Sequence, residues 1–251
     1  MDNWQQIEHR APSGNRVLAQ VREGRGQPLV LLAGTWGNAA TRAPLVAALA
    51  ADLRLVCVAL AGQDDNWPPR RFGIPLFSED VRSLLGTLGP ARCFVAGHSL
   101  GGMIAVDLLR LCPERLAGVI TLEGWPHWTV QRDAFQDDVA STLTPAQRAR
   151  REQERRRLLD RWEPEQRAAF ATMWREWDGR AILAATRVPV LSVWGDRGRP
   201  RPSRALLGLP AGEHVHLAWL PGVSHDLPLE APAPVAALIT RFIAAHAVAH
   251  G

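Results

Sequence analysis

A serine and a histidine far apart in this chain could together perform nucleophilic chemistry. Ser99 stands in Gly97-His98-Ser99-Leu100-Gly101, where glycines two before and two after it let the backbone turn sharply. The apolar run Cys93–Ala96 before it reads as a buried strand, and Met103–Leu111 after it as a helix. A serine on a tight strand-to-helix turn is held exposed on strained backbone, the setting of a nucleophile. A hydroxyl attacks only when a base takes its proton. His225 fits that task, because its glycine-bearing loop, Leu220–Asp226, lies between the last predicted strand and the final helix. His127 is a distant second. His9, His214, His216 and His246 read as strand or surface residues.

The elements that must hold these residues follow from the hydrophobic pattern. Residues 14–23 alternate as an early antiparallel strand. Short runs rich in Val, Leu and Ile then recur at Pro28–Ala33, Leu53–Leu60, Cys93–Ala96, Ala117–Leu122, Val188–Trp194 and His214–Leu220. Helix-like stretches at 40–51, 78–88, 100–111 and 232–247 separate or follow them. Buried strands linked by helical crossovers predict an α/β fold with a mostly parallel central sheet flanked by helices. Between Pro126 and Thr186 the rhythm breaks into helix formers, split by Pro164. We expect a core of residues 1–125 and 187–251, with 126–186 a helical lid over the strand ends where such sheets bind ligands.

Composition narrows the function. The chain has 251 residues, and every one of its 29 basic residues is arginine. Without lysine there is no Schiff-base or P-loop lysine, and without tyrosine no tyrosine acid or base. A net charge of +4, scattered along the chain, does not mark a nucleic-acid binder. No apolar run reaches the ~20 residues needed to cross a bilayer, and no secretory leader is visible at Met1–Gln6. Cys57, Cys93 and Cys112 lack metal-ligand spacing and read as reduced thiols of a cytoplasmic protein. No cofactor or metal is expected. The partner expected is a small-molecule substrate, with a homodimer allowed, and neither nucleic acid nor membrane.

Four segments in order resemble the α/β-hydrolase superfamily over nearly the whole chain. Leu29–Gly37 resembles its oxyanion-loop strand, Gly97–Gly102 its nucleophile elbow, Val188–Asp196 the strand before its acid loop, and Gly222–His225 with Glu230-Ala231-Pro232 its histidine loop. The resemblance implies that Ser99 attacks a carbonyl and His225 relays the proton. It also implies that the N–H groups of Leu100 and of Thr35 or Trp36 hold the oxyanion. Two departures stand out. Ala33-Gly34 replaces the usual His-Gly, and the usual acid position, three residues past Gly195, is Gly198. A triad needs a carboxylate behind its histidine. Glu123, at the end of Val119–Leu122 beside the nucleophile strand, is the preferred acid, and Asp196 the alternative. Some dehalogenases and the cofactor-independent quinolone dioxygenases carry their acid after this strand.

Around the site, Trp36, Trp125, Trp128 and His98 are expected to line the substrate pocket, and the lid tryptophans Trp162, Trp174 and Trp177 either face it or glue lid to core. The arginine-rich stretch Arg148–Arg161 reads as a solvated helix face with pairs such as Glu152–Arg156. Asp64 and Asp65 read as turn carboxylates. The leading expectation is a serine-dependent hydrolase of an ester, lactone, thioester or related carbonyl bond in a small apolar or aromatic molecule. The alternatives are a cofactor-independent ring-cleaving dioxygenase, and a non-hydrolytic ligand-binding or lyase derivative of the fold.

Overall fold

The computed structural model describes residues 4–89, 91–136 and 142–247. The ends of the expected core and residues 137–141 of the expected lid lie outside them. Eight strands form one sheet: β1 (Trp4–Arg10), β2 (Arg16–Arg22), β3 (Arg25–Leu32), β4 (Leu53–Ala59), β5 (Cys93–His98), β6 (Leu116–Leu122), β7 (Val190–Gly195) and β8 (Val215–Leu220). Their order is β1-β2-β4-β3-β5-β6-β7-β8. β1 and β2 pair antiparallel, as do β2 and β4, and all other pairs are parallel. β1 was not expected from the sequence. Apart from Trp4 and Ile7 its residues are polar, and none is fully buried, so an edge strand of this kind carries little hydrophobic signal.

Helices cover both faces of the sheet. Here α1 is Ala39–Ala48, α2 Ile74–Thr87, α3 Leu100–Leu111 and α9 Pro232–His246, with the short α8 at Leu227–Glu230. β5 and β6 are buried almost throughout, which is why they read as unbroken apolar runs rather than alternating ones. One core layer joins β2, β5 and β7 residues to α2 and α3, where Phe77, Leu84 and Ile104 are fully buried. The other packs Leu29, Phe94 and Ile120 against α1 and α9. Between β6 and β7 run α4 (Thr129–Phe135), α5 (Pro145–Leu159), α6 (Pro164–Thr172) and α7 (Arg180–Ala185). Thr144 caps α5 in a reciprocal capping box with Gln147, and Pro164 opens α6 at its first position, where a missing N–H costs nothing.

Candidate active site

Ser99 follows β5 and precedes the first residue of α3, with φ 50° and ψ −118°, a strained conformation for a residue with a side chain. The turn is possible only because two chain segments touch at glycine. A Cβ on Gly97 would lie 2.1 Å from the Gly101 carbonyl oxygen, and one on Gly101 would lie 2.4 Å from that of Leu32. The Ser99 N–H donates to the Leu122 carbonyl (2.9 Å), tying the turn to the end of β6. The next residue on β6's path, Glu123, also has positive φ, 51°, and its N–H donates to Val193.

That backbone turn carries the Glu123 side chain into the fold, where it is fully buried. His225 Nδ1 lies 3.1 Å from Glu123 Oε2, so an Nδ1–H donates to the carboxylate and Nε2 is left for the cavity side. The imidazole sits between the rings of His98 (5.0 Å) and Trp125 (5.2 Å). Glu123 has further partners. The Gly195 N–H donates to Oε1 at 3.0 Å, and the Arg197 guanidinium forks onto both oxygens at 2.9 Å each. Burial alone would push the Glu123 carboxyl up. Hydrogen bonds and charge from His225 and Arg197 outweigh it and hold the group down at about 2. Glu123 is therefore a carboxylate at any pH near neutral.

Asp196, the alternative acid, makes no hydrogen bond to His225 among the described residues. It stands only one residue beyond Gly195, and its carboxylate turns back onto the Gly198 and Gly222 N–H groups and Arg201 Nε (3.0, 2.7 and 3.1 Å). Arg197, next to Asp196 in the chain, pairs with Glu123. It is the site residue that sequence reasoning missed.

His98 is locked as well. Its Nε2 lies 2.7 Å from the His225 carbonyl oxygen, and burial with the neighbouring His225 holds its pKa down at about 4, so the ring is neutral and donates from Nε2. Facing the serine, the Gly34 carbonyl accepts from Gln63 Nε2 (2.7 Å) and from the Gly37 N–H (2.9 Å). In a trans peptide the carbonyl and the next N–H point oppositely, so the Thr35 N–H is turned away from Gln63. The N–H groups of Thr35 and Trp36 donate to no backbone carbonyl among the described residues. Leu100 opens α3, so its N–H has no partner within the helix. Gln63 is buried, and nothing in the sequence distinguished it from the turn around it.

Ser99, His225, Thr35, Trp36 and His98 line one cavity of about 440 Å³. Its walls are Leu31, Leu45, Ala96 and Leu122 from the sheet and α1, with Pro228 and Leu229 from α8. Arg151 and Arg155 of α5 border it, and Arg151 pairs with Asp226, the neighbour of His225. A smaller cavity of about 170 Å³ also borders Ser99 and contains Leu100, Trp125 and Trp174. Trp128 borders neither cavity. Its ring lies under Arg132, 5.1 Å from the guanidinium carbon. Trp162 packs edge-on to Trp36 and against Phe170 and Gly62, and Trp177 donates to Asp107, so both serve packing. Asp64 receives the Ala39 N–H at the start of α1 and pairs with Arg42 (2.7 Å), a structural role. Glu152 and Arg156 lie 3.4 Å apart on the exposed face of α5.

A mostly parallel sheet, a serine on a strained turn after its fifth strand and a histidine–carboxylate pair at the same strand ends define an α/β enzyme-type fold. Residues 29–238 match the model of the alpha/beta hydrolase family, and the chain belongs to that family. Among curated proteins it is similar to the pimeloyl-[acyl-carrier protein] methyl ester esterase of Aeromonas salmonicida, 38% identical over 127 residues, 49% of this chain and 47% of that protein. It is also similar to the protein named "Putative carbamate hydrolase RutD" of Azorhizobium caulinodans, 31% identical over 118 residues, 46% of this chain and 44% of that one. The chain thus spans less than half the length of these relatives. Among solved structures, the carboxylesterase CesB of Bacillus subtilis superposes with a TM-score of 0.72 at 19% identity, over 97% of this chain and 92% of that one. A membrane phospholipase A, a bacterial virulence factor, gives 0.78 at 16%, over 96% and 86%. No helix among the described residues is long and apolar enough to cross a membrane.

Proposed function

We propose that the chain is a serine-dependent hydrolase that cleaves an ester, lactone, thioester or related carbonyl bond of a small, largely apolar substrate. One observation carries the reading: the buried Glu123 carboxylate holds His225 by Nδ1, which leaves Nε2 on the side of the cavity that Ser99 shares. In this reading Nε2 takes the proton of the Ser99 hydroxyl as its oxygen attacks the substrate carbonyl. The N–H groups of Leu100 and Thr35 hold the oxyanion, each worth about 3 kcal/mol of transition-state stabilisation. His225 then protonates the leaving group, and a water activated by the same imidazole hydrolyses the acyl-enzyme. The Ser99 hydroxyl makes no protein hydrogen bond among the described residues, and in this reading its bond to His225 Nε2 forms when substrate fills the cavity.

Leu31, Leu45, Ala96, Leu122 and Leu229 suit a short aliphatic or aromatic group, and Arg151 and Arg155 at the border suit a polar or anionic end. We read α4–α7 as the cap of this site. Purified protein should hydrolyse p-nitrophenyl esters of short acids, and Ser99→Ala should reduce kcat/KM at least about 10³-fold. Undiminished turnover in that variant would sink the proposal. Oxygen uptake with a quinolone and no ester cleavage would instead favour ring-cleaving chemistry based on His225.

A further inference from the structure

We propose that Arg197 is a positioning residue that sets the charge felt by His225: by clamping both oxygens of Glu123 it fixes the carboxylate's rotamer and cancels much of its field at the imidazole. The inference rests on the reading of His225 and Glu123 as base and acid. The geometry that carries it is a fork in which each guanidinium nitrogen lies 2.9 Å from its own carboxylate oxygen. Side-chain exposures are 5% for Arg197 and 0% for Glu123, so solvent does not screen the pair. The guanidinium also donates to the Gly195 carbonyl (2.6 Å) and lies 4.0 Å from the Phe135 ring, which fixes it in the plane of the carboxylate. Glu123 Oε2 is shared between Arg197 and His225 Nδ1.

A carboxylate facing a neutral imidazole ordinarily favours the imidazolium and raises its basicity. Here the opposite charge of Arg197 stands directly behind that carboxylate. Among the described residues, the other charged and titratable groups beside the couple have partners of their own. Asp226 beside His225 is paired with Arg151 of α5, and Asp196 beside Arg197 is paired with Arg201. Glu230 of α8 is engaged by Ser224, and the neighbouring His98 is neutral. With these charges matched, removing the Arg197 charge makes the first proton easier to add, whether it lands on His225 or on Glu123. A unit charge one carboxylate away, at an effective dielectric of about 20, shifts a titration by on the order of one pH unit.

The test is the nuclear magnetic resonance titration of the His225 ring, assigned by difference from His225→Gln, run beside the pH profile of kcat/KM. In Arg197→Gln and Arg197→Met the His225 midpoint and the acid limb of the profile should both rise by about one unit. Arg197→Lys keeps the charge but cannot fork. It should leave the midpoint with the wild type while kcat falls. Unmoved midpoints in the neutral variants, or a rise in Arg197→Lys alone, would overturn the proposal and leave Arg197 a packing residue. If the neutral variants do not fold, Arg197→Lys still tests it, since a midpoint raised above the wild type's with the charge kept would overturn the proposal. The titration does not depend on which residue is the nucleophile, so it stands even if Ser99→Ala remains active.

Discussion

Replacing Glu123 by Gln should separate two losses that the site combines. The carboxylate accepts four hydrogen bonds, two from Arg197 and one each from Gly195 and His225. The amide keeps the shape but puts an NH2 donor where one carboxylate oxygen accepted, so in either orientation it faces two N–H donors: Gly195 and Arg197 at the Oε1 place, or Arg197 and His225 at the Oε2 place. Losing the anion behind the histidine costs catalysis about 10⁴-fold in a serine triad, or about 5.5 kcal/mol of barrier. Separately, the buried Arg197 guanidinium loses its Glu123 carboxylate, and breaking a buried pair of this kind destabilises a fold by about 3–5 kcal/mol out of a total of about 5–15 kcal/mol. Urea denaturation of Glu123→Gln should therefore show a large loss of stability alongside the loss of kcat/KM. The pair Glu123→Gln/Arg197→Met, which also removes the guanidinium over Phe135, should recover most of the stability and none of the activity. Asp196→Asn keeps an acceptor for the Gly198 and Gly222 amides and loses only a pair with half-exposed Arg201. It should cost about 1 kcal/mol of stability and leave kcat/KM within about fivefold. Retention of more than about a tenth of the activity in Glu123→Gln, or a larger loss in Asp196→Asn, would refute the assignment of the acid.

Further outcomes follow from the same geometry. Ser99→Gly should relieve the positive-φ strain and stabilise the fold by about 1 kcal/mol, seen as a Tm rise of about 2–4 °C, while turnover disappears. Gln63→Leu should lower kcat about tenfold or more with little change in KM, because the Gly34 carbonyl loses the donor that orients the Thr35 N–H. Arg155→Ala should raise KM for a p-nitrophenyl ester with a terminal carboxylate several-fold, and leave its uncharged analogue unchanged, in steady-state assays. His98 is held neutral to about 4 in the fold but titrates near 6.5 when unfolded. The unfolded state therefore binds the extra proton first, and stability falls as pH drops from about 6.5 to about 4 with a slope of about 1.4 kcal/mol per unit. Glu123 adds a loss as pH falls from 4.5 to about 2, since its contribution is fully present only above 4.5. Denaturation midpoints in His98→Gln should show the flatter acid slope.

Much of the fold was legible because β3 to β7 are largely buried on both faces, and buried parallel strands appear as unbroken runs of Val, Leu and Ile. β1 was not, because its burial is slight and its pairing with β2 is made by backbone groups that any residue supplies. The glycines around Ser99 marked the turn, since no side chain fits at Gly97 or Gly101. Glu123 could be named because a charged residue at the end of an apolar strand is conspicuous. The choice of partner was beyond the sequence: Arg197 lies next to Asp196 in the chain yet reaches 74 positions away to Glu123. Trp128 failed as a pocket residue for a similar reason, since its place near the start of the inserted helices fixes its neighbourhood but not its direction.

Incubation with a fluorophosphonate probe, followed by mass mapping of the labelled peptide, tests the central claim most directly. The account predicts one phosphonyl adduct, located on Ser99, with labelling slowed strongly in His225→Gln and abolished in Ser99→Ala. No adduct on active protein, or an adduct on another residue that persists in Ser99→Ala, would contradict it.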